Sequence, residues 1–279
     1  MSTILSLISM SRPLNIITAV ACVLVVYFLL HLSDLTLIIL PSIVLVCYMA
    51  AGNMLNDLID LKIDEINKPS RPLVNHDINR YLIISIILLL FIIGSFASMY
   101  IDIYAMKLAV FIAMPGIISY ELILKRFPLI GNVMISILVG VVFIFAELSL
   151  NHSISIMWRA SILAFFLNLI REIIKDIQDI NGDAELKYKT LPLVVGVPTS
   201  ILILRIITIF FIIISMLPIF SYYYLWYYIP LIVFLIHIPL LYIIIRLTDD
   251  FTPKECAKYS KALKLIIING IVIIIVSTI

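Results

Sequence analysis

The chain has 279 residues, 63% of them hydrophobic and only 13% charged, with a mean hydropathy of +1.21 and a formal net charge of +2. A water-soluble domain of this size must cover itself with polar groups and does not hold that much apolar surface, and the near-neutral balance shows no footprint of a nucleic-acid partner. A membrane β-barrel is excluded as well, because its strands alternate with a period of two whereas the runs here are apolar all round.

Nine candidate membrane helices are marked along the chain. The first, near 14–31, follows Arg12-Pro13 and lacks a small-residue cleavage site, so it reads as a retained helix. The second, 35–55, runs into the acidic string NDLIDLKID (56–64) and then KPSRPL (68–73). The third and fourth cover 80–100 and 103–123; the fourth contains Lys107 and Glu121 and is followed by Lys125 and Arg126, just beyond Tyr120. The fifth, 129–149, includes Glu147, and the sixth, 155–175, runs into a second acidic string, KDIQDINGD (175–183), then KYKTLP (187–192). The seventh, eighth and ninth cover 199–219, 224–246 and 262–278. Between the seventh and eighth, Tyr222, Tyr223, Tyr224, Trp226, Tyr227 and Tyr228 read as an interfacial aromatic belt.

Short connections imply antiparallel neighbours in one bundle, and charge orients it. With a cytoplasmic N-terminus, 17 of the 19 basic residues fall on the inner side and only Lys107 and Arg159 outside. The acidic strings share that inner face, so the chemistry is expected at the cytoplasmic surface of a cell membrane, with the C-terminus outside. The cysteines (Cys22, Cys47, Cys256) and histidines (His31, His76, His152, His237) show no metal-ligand spacing and read as packing residues or cavity walls.

The two acidic strings repeat. Asp57, Asp60 and Asp64 recur as Asp176, Asp179 and Asp183, each 119 residues later, and Lys68 recurs as Lys187. Such a repeat at the ends of even-numbered spans suggests a single domain of two related halves, roughly 1–125 and 126–246, plus a last helix. On one straight helix the three aspartates would lie within about 60° of one another, with Asn53 on the same stripe and Asn56 just beside it. Glu172 and Lys175 take the places of Asn53 and Asn56 in the second string. Six converging carboxylates call for a hard divalent cation, and Mg²⁺ is the usual choice where a phosphate supplies further oxygens. The flanking cations Arg71, Lys125, Lys187 and Lys189 suit a diphosphate; half of such charge is accounted for by loop position alone. A cation-coupled transporter would also place carboxylates between helices, but it does not explain six of them at cytoplasmic helix ends beside basic loops.

At these motifs the sequence resembles the UbiA-type membrane prenyltransferases. The family pattern N-D-x-x-D-x-x-x-D is matched by Asn56, Asp57, Asp60 and Asp64, and D-x-x-x-D by Asp179 and Asp183, preceded here by Asp176. Arg12-Pro13, Arg71-Pro72, Lys125-Arg126 and Thr190-Leu191-Pro192 extend the likeness over nearly the whole chain. The strings 51–73 and 171–192, with Gly131-Asn132, look most like the branch of the family that makes archaeal ether lipids. The resemblance implies an all-α fold of nine transmembrane helices around a large apolar cavity, capped by cytoplasmic loops. It implies Mg²⁺-dependent transfer of a geranylgeranyl group to the hydroxyl of geranylgeranylglyceryl phosphate, with loss of pyrophosphate; an aromatic acceptor is the alternative. Asn56, Asp60, Asp64, Asp179 and Asp183 are then the metal ligands, with Asp57 and Asp176 as further ligands or supports. Arg71, Lys125 and Tyr120 fall to the diphosphate substrate, and Arg12, Lys187 and Lys189 are unranked candidates for the acceptor phosphate.

Overall fold

The computed structural model describes residues 3–67, 69–75, 78–216, 226–247 and 253–278; Lys68, His76, Tyr222, Tyr223 and Tyr224 lie outside the described residues. It divides into two compact units, Met1–Leu124 with Val141–Ile154, and Lys125–Gly140 with Ser155–Ile279. Every regular element among the described residues is helical.

The first unit begins with α1 (Thr3–Ser11), a short helix absent from the sequence reading, bent by 48° from α2 (Pro13–Leu29). Pro13 opens α2, and Arg12 before it sits in the left-handed region at φ 54°. Then come α3 (Ile39–Ile59), α4 (Leu61–Asn67), α5 (Pro72–Asn75), α6 (Arg80–Ser98), α7 (Ile103–Lys107) and α8 (Met114–Leu122). The central helix is α3, packed by α1, α2, α6 and α8. Its contact with α6 depends on Gly94, where a Cβ would meet the Tyr48 ring at 2.7 Å. The Tyr48 hydroxyl is 2.8 Å from Ser95 Oγ, so the close approach also satisfies a polar group in apolar surroundings. On its other face α6 exposes Leu88, Leu89, Ile92 and Phe96 while burying Ile83, Ile87 and Phe91. A helix as apolar outside as inside is matched to lipid, not to water.

The second unit holds the start of α9 (Ile130–Asn151), then α10 (Trp158–Gln178), α11 (Ile180–Glu185), α12 (Leu191–Val195), α13 (Val197–Ser215), α14 (Tyr228–Ile232), α15 (Ile238–Arg246) and α16 (Pro253–Thr278). Here α10 is central, packed by α13 and α16 through Ile170, Ile173, Ile174, Leu204, Phe211 and Leu263. At Gly140 a Cβ would lie 2.9 Å from the Ser161 carbonyl, and Asn168 Nδ2 donates to Ser136 Oγ at 3.2 Å. Small residues and polar pairs of this kind hold helices together where burial alone gives no net attraction.

The two units repeat each other in detail. The central helices α3 and α10 are both 21 residues long and offset by 119. Both α6 and α13 have 19 residues and end on a serine that donates to the carbonyl three residues back, at 2.7 Å for Ser98 and 2.8 Å for Ser215. The spans Ile103–Leu122 and Tyr228–Arg246 each contain a π-helical turn, Leu108–Ala113 and Val233–His237, just before Pro115 and Pro239. Proline lacks the N–H that the carbonyl four residues earlier would accept. Leu235 recovers a donor from Asn269 Nδ2 at 3.4 Å.

Among the described residues six helical segments are long and apolar enough to cross a membrane, with a seventh if the bent α1–α2 pair is one span. The helices α10 and α16 lie over the sixth and ninth expected spans and carry charged turns. The aromatic belt needs a correction. Trp226 is exposed, but Tyr228 is fully buried and donates to the Ser215 carbonyl at 2.8 Å, because α14 starts there and turns it inward. His237 also packs internally, 2.7 Å from Ser215 Oγ and edge-on to Phe211. All three cysteines are free and buried.

Candidate active site

Each unit builds the same backbone device at its aspartates. In the first, α3 stops at Ile59 and Asp60 takes φ −86°, ψ 9°; in the second, α10 stops at Gln178 and Asp179 takes φ −94°, ψ 8°. A ψ near zero, against about −42° in a regular helix, redirects the chain into a new short helix. The hydrogen-bond ladder continues on both sides of the break: Asp60 N–H to Asn56 at 2.9 Å and Asp64 N–H to Asp60 at 2.8 Å, then Asp179 N–H to Lys175 at 2.8 Å and Asp183 N–H to Asp179 at 3.1 Å. The stripe drawn on one straight helix is therefore corrected, since the third aspartate of each motif stands on a second helix, α4 or α11.

In the first unit the break is bracketed by arginine. Arg71 Nη1 donates to Asp57 at 2.7 Å and also to Asp64, one carboxylate from each side of Asp60. Arg12 Nη2 donates to Asn56 Oδ1 at 2.6 Å and to Asp57 Oδ1 at 2.7 Å. Asp57 and Asp64 are almost fully buried. Two guanidinium groups on Asp57 offset the cost of burying it, which an unpaired carboxylate could not bear. Asn56 donates in turn to Asp60 Oδ2 at 2.9 Å and Glu121 Oε2 at 3.0 Å. Glu121 is a member of the site that sequence reasoning missed. The available signal was a lone carboxylate near the end of an apolar span.

In the second unit Asp176 accepts from Asn132 Nδ2 at 2.9 Å, and Glu172 pairs with Arg171 at 2.7 Å and Lys175 at 2.6 Å. Asp183 is buried at the start of α11. That short helix ends in a Schellman motif: Tyr188 N–H reaches the Asp183 carbonyl at 2.9 Å, Lys187 N–H reaches Ala184 at 3.1 Å, and Lys187 is left-handed at φ 57°. The next residues lie against the turn that holds Lys125 and Arg126. Lys189 N–H donates to the Arg126 carbonyl at 3.0 Å, and the Arg126 guanidinium lies 5.4 Å from the centre of the Tyr188 ring. Thr190 is buried, and its Oγ1 has no hydrogen-bond partner among the described residues, an arrangement costing about 1–3 kcal/mol. Lys125 and Tyr120 are half-buried, Lys125 on the turn Leu124–Arg126 and Tyr120 near the end of α8.

The donors at both breaks are hard oxygens, the chemistry that suits Mg²⁺. Among the described residues no three His, Cys, Asp or Glu side chains form a ready metal cage. Mg²⁺ is ordinarily held by one or two carboxylates with water and substrate phosphate, so the donor set fits that ion brought in with a diphosphate.

The chain is similar to known proteins in sequence and in fold. The pattern of the UbiA prenyltransferase family matches residues 14–268. The digeranylgeranylglyceryl phosphate synthase of Saccharolobus solfataricus is similar, at 35% identity over 84% of this chain and 82% of its own. A solved structure described as giving insight into digeranylgeranylglyceryl phosphate synthase in membranes covers 100% of the chain and 99% of its own, with a TM-score of 0.76 and 29% identity. A UbiA homolog from Archaeoglobus fulgidus, solved with DMAPP and Mg²⁺, has a TM-score of 0.69 over 96% of this chain and 99% of its own; at 16% identity it shows a shared fold.

Proposed function

The chain belongs to the UbiA prenyltransferase family, and from that premise we propose that it transfers a geranylgeranyl group from geranylgeranyl diphosphate to the hydroxyl of geranylgeranylglyceryl phosphate. Digeranylgeranylglyceryl phosphate and pyrophosphate are the products. The observation that carries the reading is the pair of matched helix breaks at Asp60 and Asp179, in a chain whose relatives over most of its length are synthases of this product.

We assign Asn56, Asp60 and Asp64 of the first motif, and Asp179 and Asp183 of the second, as the residues that would hold Mg²⁺. When bound, that ion would supply positive charge that stabilises the pyrophosphate leaving group. Arg71 and Lys125 neutralise the same leaving group, and Tyr120 is assigned with them to substrate binding. Asp57 acts through the two arginines it orders, and Asp176 through its place beside Asn132. The apolar spans keep water from the allylic cation. The acceptor oxygen then bonds to C1 as the allylic C1–O bond to diphosphate is broken, and its proton passes to the released pyrophosphate.

The protein is a multi-pass membrane protein. We read it as one domain of two pseudo-repeated halves plus a last helix, nine spans in all, with N-terminus and active site cytoplasmic and C-terminus outside. The matched 119-residue register of α3 and α10 and the positive-inside bias support that reading.

The test is transfer in detergent, with radiolabelled geranylgeranyl diphosphate and either geranylgeranylglyceryl phosphate or 4-hydroxybenzoate. Labelled diether phosphate is expected, silenced by EDTA and restored by Mg²⁺. Label on the aromatic acceptor alone would overturn the choice of acceptor.

A further inference from the structure

Two groups of cations flank the motifs among the described residues. Arg12 and Arg71 are committed to Asp57 and Asp64, and Arg171 and Lys175 to Glu172. Arg126, Lys187 and Lys189 make no ion pair among the described residues, although Asp183 lies only four residues before Lys187. These three are held close to one another. The Lys189 N–H to Arg126 bond ties their two segments, Arg126 lies over Tyr188, and Lys187 is fixed in a left-handed cap that glycine would fill without strain. Beside them the Thr190 hydroxyl is buried with no partner among the described residues.

We propose that this basic strap, Arg126 with Lys187, Lys189 and Thr190, binds the phosphate monoester of the lipid acceptor. The proposal rests on the prenyl-transfer reading above. A phosphate monoester carries close to two negative charges at neutral pH and offers three oxygens. Bringing it near Asp179 and Asp183 requires cations that those carboxylates have not already taken up. The strap has three. The planar fork of Arg126 matches two phosphate oxygens, and the lysines act as point charges. The Thr190 hydroxyl supplies a donor that has no partner among the described residues. Ordinary inner-face charge explains exposed lysines; it explains neither a buried hydroxyl without a partner nor a lysine at a position suited to glycine. Arg12, the remaining candidate for the acceptor, is already engaged by Asn56 and Asp57.

The experiment compares geranylgeranylglyceryl phosphate with its dephosphorylated form, geranylgeranylglycerol, as acceptors for the full-length enzyme in detergent with Mg²⁺. The variants are the double substitution Arg126→Gln with Lys189→Gln, and the single substitutions Lys187→Gln and Thr190→Val. For the wild type, kcat/KM should favour the phosphorylated acceptor by about 100-fold or more. The double variant should raise the KM for that acceptor by about 30-fold, leave the KM for geranylgeranyl diphosphate within about 2-fold, and lose most of the preference for phosphate. Lys187→Gln and Thr190→Val should each raise the acceptor KM by about 5-fold. Equal losses with both acceptors, a rise in the KM for the diphosphate, or no change would overturn the proposal. A second measurement omits donor and metal: geranylgeranylglyceryl phosphate should raise the thermal midpoint of the wild type and not of the double variant. Equal shifts would sink the strap even if transfer proceeds. Binding that is lost in the double variant, with no transfer in the wild type, would instead overturn the prenyl-transfer reading.

Discussion

At the end of α3 the carboxylates are met by cations of the same unit, with Arg12 and Arg71 on Asp57 and Arg71 again on Asp64. At the end of α10 the same backbone break carries a different pattern. Lys175 and Arg171 turn to Glu172, Asp176 is held by the neutral amide of Asn132, and the basic residues that follow hold no carboxylate among the described residues. One repeated scaffold thus supports two electrostatic tasks. The arginines of the first motif are shared with its own carboxylates, while the basic residues after the second pair with no carboxylate among the described residues.

That contrast can be broken or sharpened by substitution. The largest effect is expected where the two motifs are alike: Asp60→Ala and Asp179→Ala should each lower transfer by about 10³-fold or more with the unfolding midpoint in detergent unchanged. Near-normal turnover in either purified variant would remove that aspartate from the metal set. Next comes Asp57→Ala, which takes from the partly buried Arg12 its carboxylate partner and leaves Arg71 only Asp64. It should cost about 3–5 kcal/mol in a denaturant titration, because a broken buried pair leaves uncompensated charge. Asn132→Ala removes only a neutral donor from Asp176, and a loss of about 1–3 kcal/mol is expected from the same titration. Should the two losses prove equal, the electrostatic difference between the motifs is not real. Lys187→Gly goes the other way: relief of the left-handed lysine should stabilise the fold by about 1 kcal/mol, seen as a raised thermal midpoint.

The smallest effect lies away from both motifs. Asp102 caps α7 through the Tyr104 and Ala105 amides and stands 2.9 Å from His152 Nδ1. Burial alone would lift its carboxyl, but the His152 hydrogen bond and those two amides outweigh burial and hold it below the ordinary carboxylate range. A carboxyl lowered by folding gives stability that is complete above the unfolded value, about 4, and is lost as pH falls through the folded value. Asp102→Asn should therefore flatten the acid limb of a stability profile without altering transfer at neutral pH.

Much of this was legible in the chain. Apolar runs placed most of the helices within a few residues, since a bilayer requires a length and a composition that few other environments select; α16 begins well before the ninth expected span because its first turns are charged. The 119-residue register pointed to paired motifs, and the helices behind them keep that register at both ends. Glu121, Asn132 and Thr190 were not legible as site members. Each is a single polar residue whose meaning depends on a partner far along the chain, 65 residues away for Glu121 and Asn56 and 44 for Asn132 and Asp176. The break at Asp60 was hidden as well, because the sequence there has no glycine or proline to mark it.

By itself, then, the sequence determined the membrane class, the helical architecture, the repeat and the acidic chemistry, all of which follow from composition and spacing along the chain. Only the tertiary structure decided which cation answers which carboxylate. Arg12, Arg71, Arg126 and the two lysines of the strap are alike as basic residues in inner loops, and ion pairing depends on distances across the fold that spacing cannot supply. That allocation engages the arginines around the first motif and leaves the strap beside the second open to an anion.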